Sequence, residues 1–153
     1  MKQRGFCLKL ENIAAVKIYS ASISCRIEFS ASHYYRVSGW SEEENERRFG
    51  KDSRHHGHNY RVEIMIQGKV NPETGMVMNV RDLKKTIKEV VEPLDHKNLN
   101  EEVPYFRTCL PTPENLACYF FEVLSLKIQS ARMASVRVYE TESLWAEYRG
   151  EAG

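Results

Sequence analysis

His56 and His58, one residue apart, open a segment in which apolar and polar residues alternate. In an extended chain residues i and i+2 point to the same face, so the two imidazoles lie side by side. Gly57 between them removes side-chain bulk on the opposite face and frees the backbone. His33 ends an earlier extended run and shares its parity with Ile23, Cys25, Ile27, Phe29 and Ala31. Antiparallel pairing of the two segments would gather all three rings at one end of a sheet. Three neutral imidazoles and one open position form the donor set of a catalytic zinc, whereas structural sites close with four protein ligands. Spacing alone leaves a second reading open, that of ordinary strand histidines. Cys25 lies eight residues from His33, roughly 26 Å along a strand at about 3.3 Å per residue, too far to share an ion. His55 has the opposite parity and reads as a loop or surface residue.

Three further polar groups stand where chemistry could use them. Glu140 shares parity with Val136 and Val138, so a carboxylate points where the apolar face of its strand points. A buried carboxylate needs a partner. Either an arginine supplies an ion pair, or the two oxygens grip an N–H/NH2 edge of the kind a guanidine, a pterin or a guanine presents. Asp95 and His96 are adjacent, and a carboxylate beside an imidazole can serve in proton transfer if the two touch. Thr112-Pro113-Glu114-Asn115 is explained in full as a helix start, with Thr112 as N-cap.

The elements that must position these groups follow from periodicity. Residues 13–33 read as extended, and a polar segment, 34–54, comes next. Within it Ser41 and Glu44 form a capping box for a short helix through Arg48. Trp40 and the acidic run Glu42–Glu44 read as a solvated helix face. Residues 58–66 form a half-buried strand ending at Gly68, residues 71–75 a turn, and Met76–Met78 a short extended stretch. A helix capped by Asn79 buries Val80, Leu83, Ile87, Val90 and Val91 and ends at Pro93. A second, from Thr112, buries Leu116, Phe120, Val123 and Leu124. Two strands, about 134–141 and 143–149, close the chain. The order ββααββ is that of an α+β domain with an antiparallel sheet and helices on one face.

Composition sets the outer limits. The chain has 153 residues, which suits one domain. Its 22 Lys and Arg against 21 Asp and Glu provide no basic excess for a nucleic-acid backbone. No apolar run approaches the length of a membrane span, and Glu11 and Lys17 interrupt any signal-peptide core. The four cysteines, at 7, 25, 109 and 118, form no metal-type spacing. They read as reduced thiols in a cytoplasmic protein.

Taken together, the motifs resemble the 6-pyruvoyl-tetrahydropterin synthase family, with its branch of 6-carboxy-tetrahydropterin synthases of queuosine biosynthesis. The resemblance rests on FSASH (29–33), FGK (49–51), HGHNY (56–60), NPETGMVMNVRDLK (71–84), PLDHKNLN (93–100), VPYF (103–106), TPEN (112–115) and VYET (138–141). PLDHKNLN and GMVMN look closer to the pyruvoyl-type enzymes. The resemblance implies a pterin synthase-like domain over 22–150, preceded by an extension and the start of the first strand over 1–21. It also implies the tunnelling fold, an oligomeric barrel built as trimers that stack into hexamers. His33, His56 and His58 would hold Zn2+, and the zinc would bind the side-chain hydroxyls of 7,8-dihydroneopterin triphosphate. Glu140 would anchor the pterin ring, with Thr112 and Glu114 lining that pocket. Asp95 and His96 would form a proton-transfer pair reaching the site from a neighbouring subunit.

The family's usual catalytic base is a cysteine shortly before the HGH motif, and here Asp52 occupies that position. An aspartate has a reference pKa of about 3.9 against about 8.5 for a thiol, so it starts as a base about 4–5 units weaker. Some family members carry a glutamate there and resemble folate-route enzymes that cleave the side chain. The expected activity is a carbon-oxygen lyase that eliminates triphosphate to give 6-pyruvoyl-tetrahydropterin. Alternatives are side-chain cleavage to 6-hydroxymethyl-7,8-dihydropterin, 6-carboxy-tetrahydropterin formation, or a pterin-binding module without turnover. Neither nucleic acid nor membrane is expected as a partner.

Overall fold

A computed structural model describes residues 18–150. Five strands and four helices run in the order β1 (Ser20–His33), α1 (Glu42–Phe49), β2 (His56–Lys69), α2 (Val80–Val91), β3 (Lys97–Asn98), α3 (Leu99–Glu102), α4 (Pro113–Lys127), β4 (Arg132–Tyr139) and β5 (Trp145–Tyr148). The sheet order is β3-β1-β2-β4-β5. The long strands pair antiparallel, but β3 runs parallel to β1 through two residue pairs, so the sheet is mixed rather than wholly antiparallel. Two residues are too few for periodicity to reveal a strand. Residues 1–17, with most of the expected extension and the first part of the 13–33 run, lie outside the described residues.

One face of the sheet carries the core. Phe29 and Ala31 of β1, Tyr60, Val62, Ile64 and Ile66 of β2, and Met133, Val136 and Val138 of β4 are buried against α2 and α4. The helices contribute Leu83, Ile87, Val90 and Val91 from α2, and Leu116, Ala117, Phe120 and Leu124 from α4. Truncating one such leucine to alanine costs about 2–5 kcal/mol. The register of β4 against β2 shifts between Met65 and Ile66, and past this bulge Met133 and Val136 both turn inward. Among the described residues, no helix is long and apolar enough to cross a membrane, and Cys25, Cys109 and Cys118 are free thiols.

Several local expectations need correction. Val80 is exposed, because it opens the first turn of α2 ahead of the buried stripe. Val123 is only half-buried, at the margin of the α4 face. Met76–Met78 is no extended stretch: Asn71 N–H bonds back to Met76 O at 2.9 Å and the chain bends at Val77 and Met78. Ser41 caps α1 by accepting from Glu44 N–H at 3.1 Å, but the Glu44 carboxylate turns to Arg47 instead of completing the box. Strand β4 ends at Tyr139, so Glu140 lies just beyond it in the turn toward β5.

The long β1–β2 ladder builds the site. It pairs Ser20 with Lys69 at one end and His33 with His56 at the other, with His58 opposite Ala31. A Cβ on Gly57 would lie 3.1 Å from the Ala31 carbonyl oxygen, so glycine there lets the two strands close at the histidine end.

Candidate active site

The three expected histidines converge. One ligand nitrogen from each of His33, His56 and His58 lies within 4.8 Å of the others. Main-chain carbonyls orient two of the rings. His33 Nδ1 lies 2.9 Å from Pro111 O and His56 Nδ1 2.7 Å from Arg54 O. A carbonyl can only accept, so each Nδ1 carries the proton and each Nε2 keeps its lone pair. His33 Nε2 and His58 Nε2 are buried with no hydrogen-bond partner. Burial, reinforced by the neighbouring imidazoles and opposed by the Pro111 hydrogen bond, lowers the His33 pKa to about 4. Burial and His56 lower that of His58. The buried, unpartnered Nε2 lone pairs of His33 and His58, with the Nε2 of His56 close by, fit a divalent metal.

Glu140 stands beside this cluster. Its carboxylate is nearly fully buried, and Oε1 lies 3.7 Å from His33 Nε2. The partner it requires is not an arginine but Tyr35, whose hydroxyl donates to Oε1 at 3.0 Å. Burial raises the Glu140 pKa, the Tyr35 hydrogen bond and His56 oppose the rise, and Asp52 and Glu114 add to it. Tyr60 completes the floor. Its ring packs on His58, and its buried hydroxyl has no hydrogen-bond partner. Burial above all, then Glu140, pushes both phenols above the ordinary tyrosine range. Neither tyrosine stood out in the sequence, although Tyr35 continues the inward parity of His33.

Asp52 lies on the 3-10 turn Gly50–Ser53 that follows α1. Its main-chain carbonyl accepts from Tyr35 N–H at 2.8 Å, while the side chain is exposed. The carboxylate is near enough to influence His33, His58, Tyr35 and Glu140. Thr112 caps α4 through Asn115 N–H at 3.3 Å, next to the Pro111 carbonyl that holds His33. Glu114 is exposed in the first turn of α4, within electrostatic reach of Glu140 and Tyr35.

Asp95 and His96 touch each other, with Nδ1 3.0 Å from Oδ2. They also dock on the edge of β1. Ser30 N–H donates to Asp95 Oδ1 at 2.9 Å, and His96 N–H donates to Ser30 O at 2.6 Å. His96 takes a left-handed φ of 59° and leaves its ring largely exposed. The imidazole borders a groove of about 520 Å3 lined by Ser32, Asn59 and Asn98, on the sheet face away from the helices. His58 lines the same groove, so within one chain His96 and one member of the histidine cluster border a common cavity.

Fold and site define a class, an α+β domain presenting three histidines of metal-ligand type beside a buried carboxylate at one end of its sheet. Within that class the chain belongs to the 6-pyruvoyl tetrahydropterin synthase family, whose model matches residues 22–151. The 6-pyruvoyl tetrahydrobiopterin synthase of Homo sapiens is 45% identical over 134 residues, covering 86% of this chain and 92% of that protein. The protein of the same name from Dictyostelium discoideum is 40% identical over 124 residues, covering 80% of this chain and 91% of its own length. The structure of Caenorhabditis elegans 6-pyruvoyl tetrahydropterin synthase superposes with a TM-score of 0.83 at 33% identity, covering 88% of this chain and 98% of that one. The tunnelling fold expected from the motifs is therefore the fold observed.

Proposed function

We propose that this chain is a zinc-dependent lyase that eliminates triphosphate from 7,8-dihydroneopterin triphosphate and converts the side chain to the pyruvoyl form. The observation that carries the reading is the gathering of three histidine nitrogens, with the buried Glu140 carboxylate 3.7 Å from His33. His33, His56 and His58 hold the metal. Bound zinc supplies Lewis acidity that makes carbinol protons easier to remove. Glu140 grips the N–H edge of the pterin ring, and Thr112 and Glu114 border the same pocket. Asp52, whose carboxylate is within electrostatic reach of His33 and His58, acts as the base in place of the family's usual cysteine.

Asp95 and His96 form the second proton-transfer pair. Because the His96 ring is exposed at the edge of the sheet, the pair serves a neighbouring copy, and the enzyme is a trimer or a stacked hexamer. Its surroundings are cytoplasmic, in keeping with the free thiols. The carboxylate at Asp52 favours one second reading, cleavage of the side chain to release 6-hydroxymethyl-7,8-dihydropterin.

The test is to incubate zinc-loaded protein with 7,8-dihydroneopterin triphosphate and identify the products by mass. A pterin that keeps its three-carbon side chain and lacks triphosphate supports the lyase. Loss of the side chain supports cleavage. Tight pterin binding without product makes the chain a binding module.

A further inference from the structure

Tyr35 contacts three parts of the site. It lies two residues beyond the end of β1, and its hydroxyl donates to Glu140 Oε1 at 3.0 Å. Its ring meets His33 edge-on at 5.0 Å between centroids, with Phe49 at 5.9 Å and His56 at 6.3 Å around it. Its main-chain N–H holds the carbonyl of Asp52 at 2.8 Å. One residue therefore makes separate contacts with the ring of a metal-type ligand, with the buried carboxylate and with the backbone of the turn that bears the base.

A carboxylate accepts about four hydrogen bonds. Unconstrained, it rotates, and its affinity for a planar N–H edge falls because the productive orientation must be selected at binding. In this pocket one lone pair on Oε1 is already taken, and Tyr35 is itself held by its ring and backbone contacts. That bond restricts rotation of the carboxylate before any ligand arrives and leaves Oε2 for the pterin edge.

We propose that Tyr35 is a positioning residue, which orients the Glu140 carboxylate for the pterin edge through its hydroxyl and seats His33 through its ring. The proposal rests on the reading of Glu140 as the pterin anchor.

The test compares Tyr35→Phe, Tyr35→Leu and Glu140→Gln with wild type in the full zinc-loaded protein. Neopterin, a fluorescent pterin without triphosphate, serves as the binding probe, alongside zinc content and KM and kcat for 7,8-dihydroneopterin triphosphate. In Tyr35→Phe the ring stays and only the hydroxyl goes. The neopterin Kd and the KM are expected to rise about tenfold, the loss typical of one hydrogen bond to a charged group. Zinc content should not change, and kcat should stay within about threefold because the metal and base are untouched. Tyr35→Leu removes the ring contacts as well and should also lower zinc content. Retained zinc in that variant overturns the seating of His33. If Glu140→Gln loses neopterin while Tyr35→Phe binds like wild type, the anchor stands and the orienting role of Tyr35 is overturned. If neither variant loses affinity, the anchor and the positioning role both fall.

Discussion

His33 Nε2 and Glu140 Oε1 face each other at 3.7 Å, both almost wholly shielded from water. At neutral pH the contact is not an ion pair, because burial holds the His33 pKa at about 4 and the imidazole is uncharged. Two lone pairs are thus directed toward one small space, with two further histidine nitrogens within 4.8 Å of the first. Such an arrangement is costly unless a positive charge or a donor lies between the acceptors. A divalent metal held by the histidines would answer that need, and the three imidazoles and the Glu140 carboxylate form one electrostatic unit.

The histidine set is best tested at His56. Its side chain is half-buried, whereas His33 is fully buried and its loss would also leave a cavity. His56→Ala should reduce bound zinc, measured by plasma mass spectrometry, from about one per chain to about a tenth of that or less. Turnover should vanish while the circular dichroism spectrum stays that of wild type. Full zinc occupancy in the variant would falsify the assignment.

Asp52 can be changed without disturbing its turn, since the structural link to Tyr35 uses the main-chain carbonyl and the side chain is exposed. Asp52→Asn should lower kcat by about 100-fold or more, the usual contribution of a positioned base. The KM should hardly move. Asp52→Cys should raise synthase activity if a stronger base is all that differs from the usual family site. Steady-state kinetics with both variants decide the role, and unchanged turnover in Asp52→Asn removes it.

Much of this site was legible in the sequence because strand parity is a strict rule. The period of two placed His56 and His58 on one face, His33 on the apolar face of its own run, and Glu140 in line with Val136 and Val138. Antiparallel pairing of the two runs was all that the convergence of the three histidines required. What parity could not supply was the partner of Glu140. Tyr35 lies past the end of β1 and reaches a residue 105 positions away, a contact that no local pattern encodes. The contact between Asp95 and His96 was equally hidden. It depends on the left-handed backbone at His96 and on Ser30 holding both residues to the strand edge. The short parallel pairing of β3 follows from that docking.

The Asp95 carboxyl titrates below the ordinary aspartate range, chiefly because Ser30 N–H donates to it, with His96 assisting. A depressed folded-state value means that the charge stabilises the native chain at pH above the unfolded value, about 3.9. That contribution disappears as pH falls through the folded value. Asp95→Asn keeps an acceptor for Ser30 and removes the charge. Its melting temperature should therefore fall below that of wild type at pH 6 to 7, by a small margin because the group is exposed. The two melting curves should converge in acid, below about pH 4. A gap that persists there would mean that shape rather than charge is responsible.

Thr112 has two possible duties, and they separate cleanly. As the cap of α4 it accepts from Asn115 N–H at 3.3 Å, and the preceding Pro111 carbonyl holds His33 Nδ1 at 2.9 Å. Thr112→Ala should cost about 1 kcal/mol of stability, as N-cap losses do. Fraying at the first turn would also loosen the Pro111 carbonyl, and losing the outer partner of a ligand histidine lowers metal affinity by about 10–100-fold. Thr112→Ser restores the cap and should restore both properties. If Thr112 acts instead as a pterin contact alone, Thr112→Ala will keep its melting temperature and its zinc affinity and lose only affinity for the pterin. Chemical denaturation, competitive zinc titration and neopterin binding on the same two variants therefore tell whether the helix start serves the metal through Pro111 or the substrate directly.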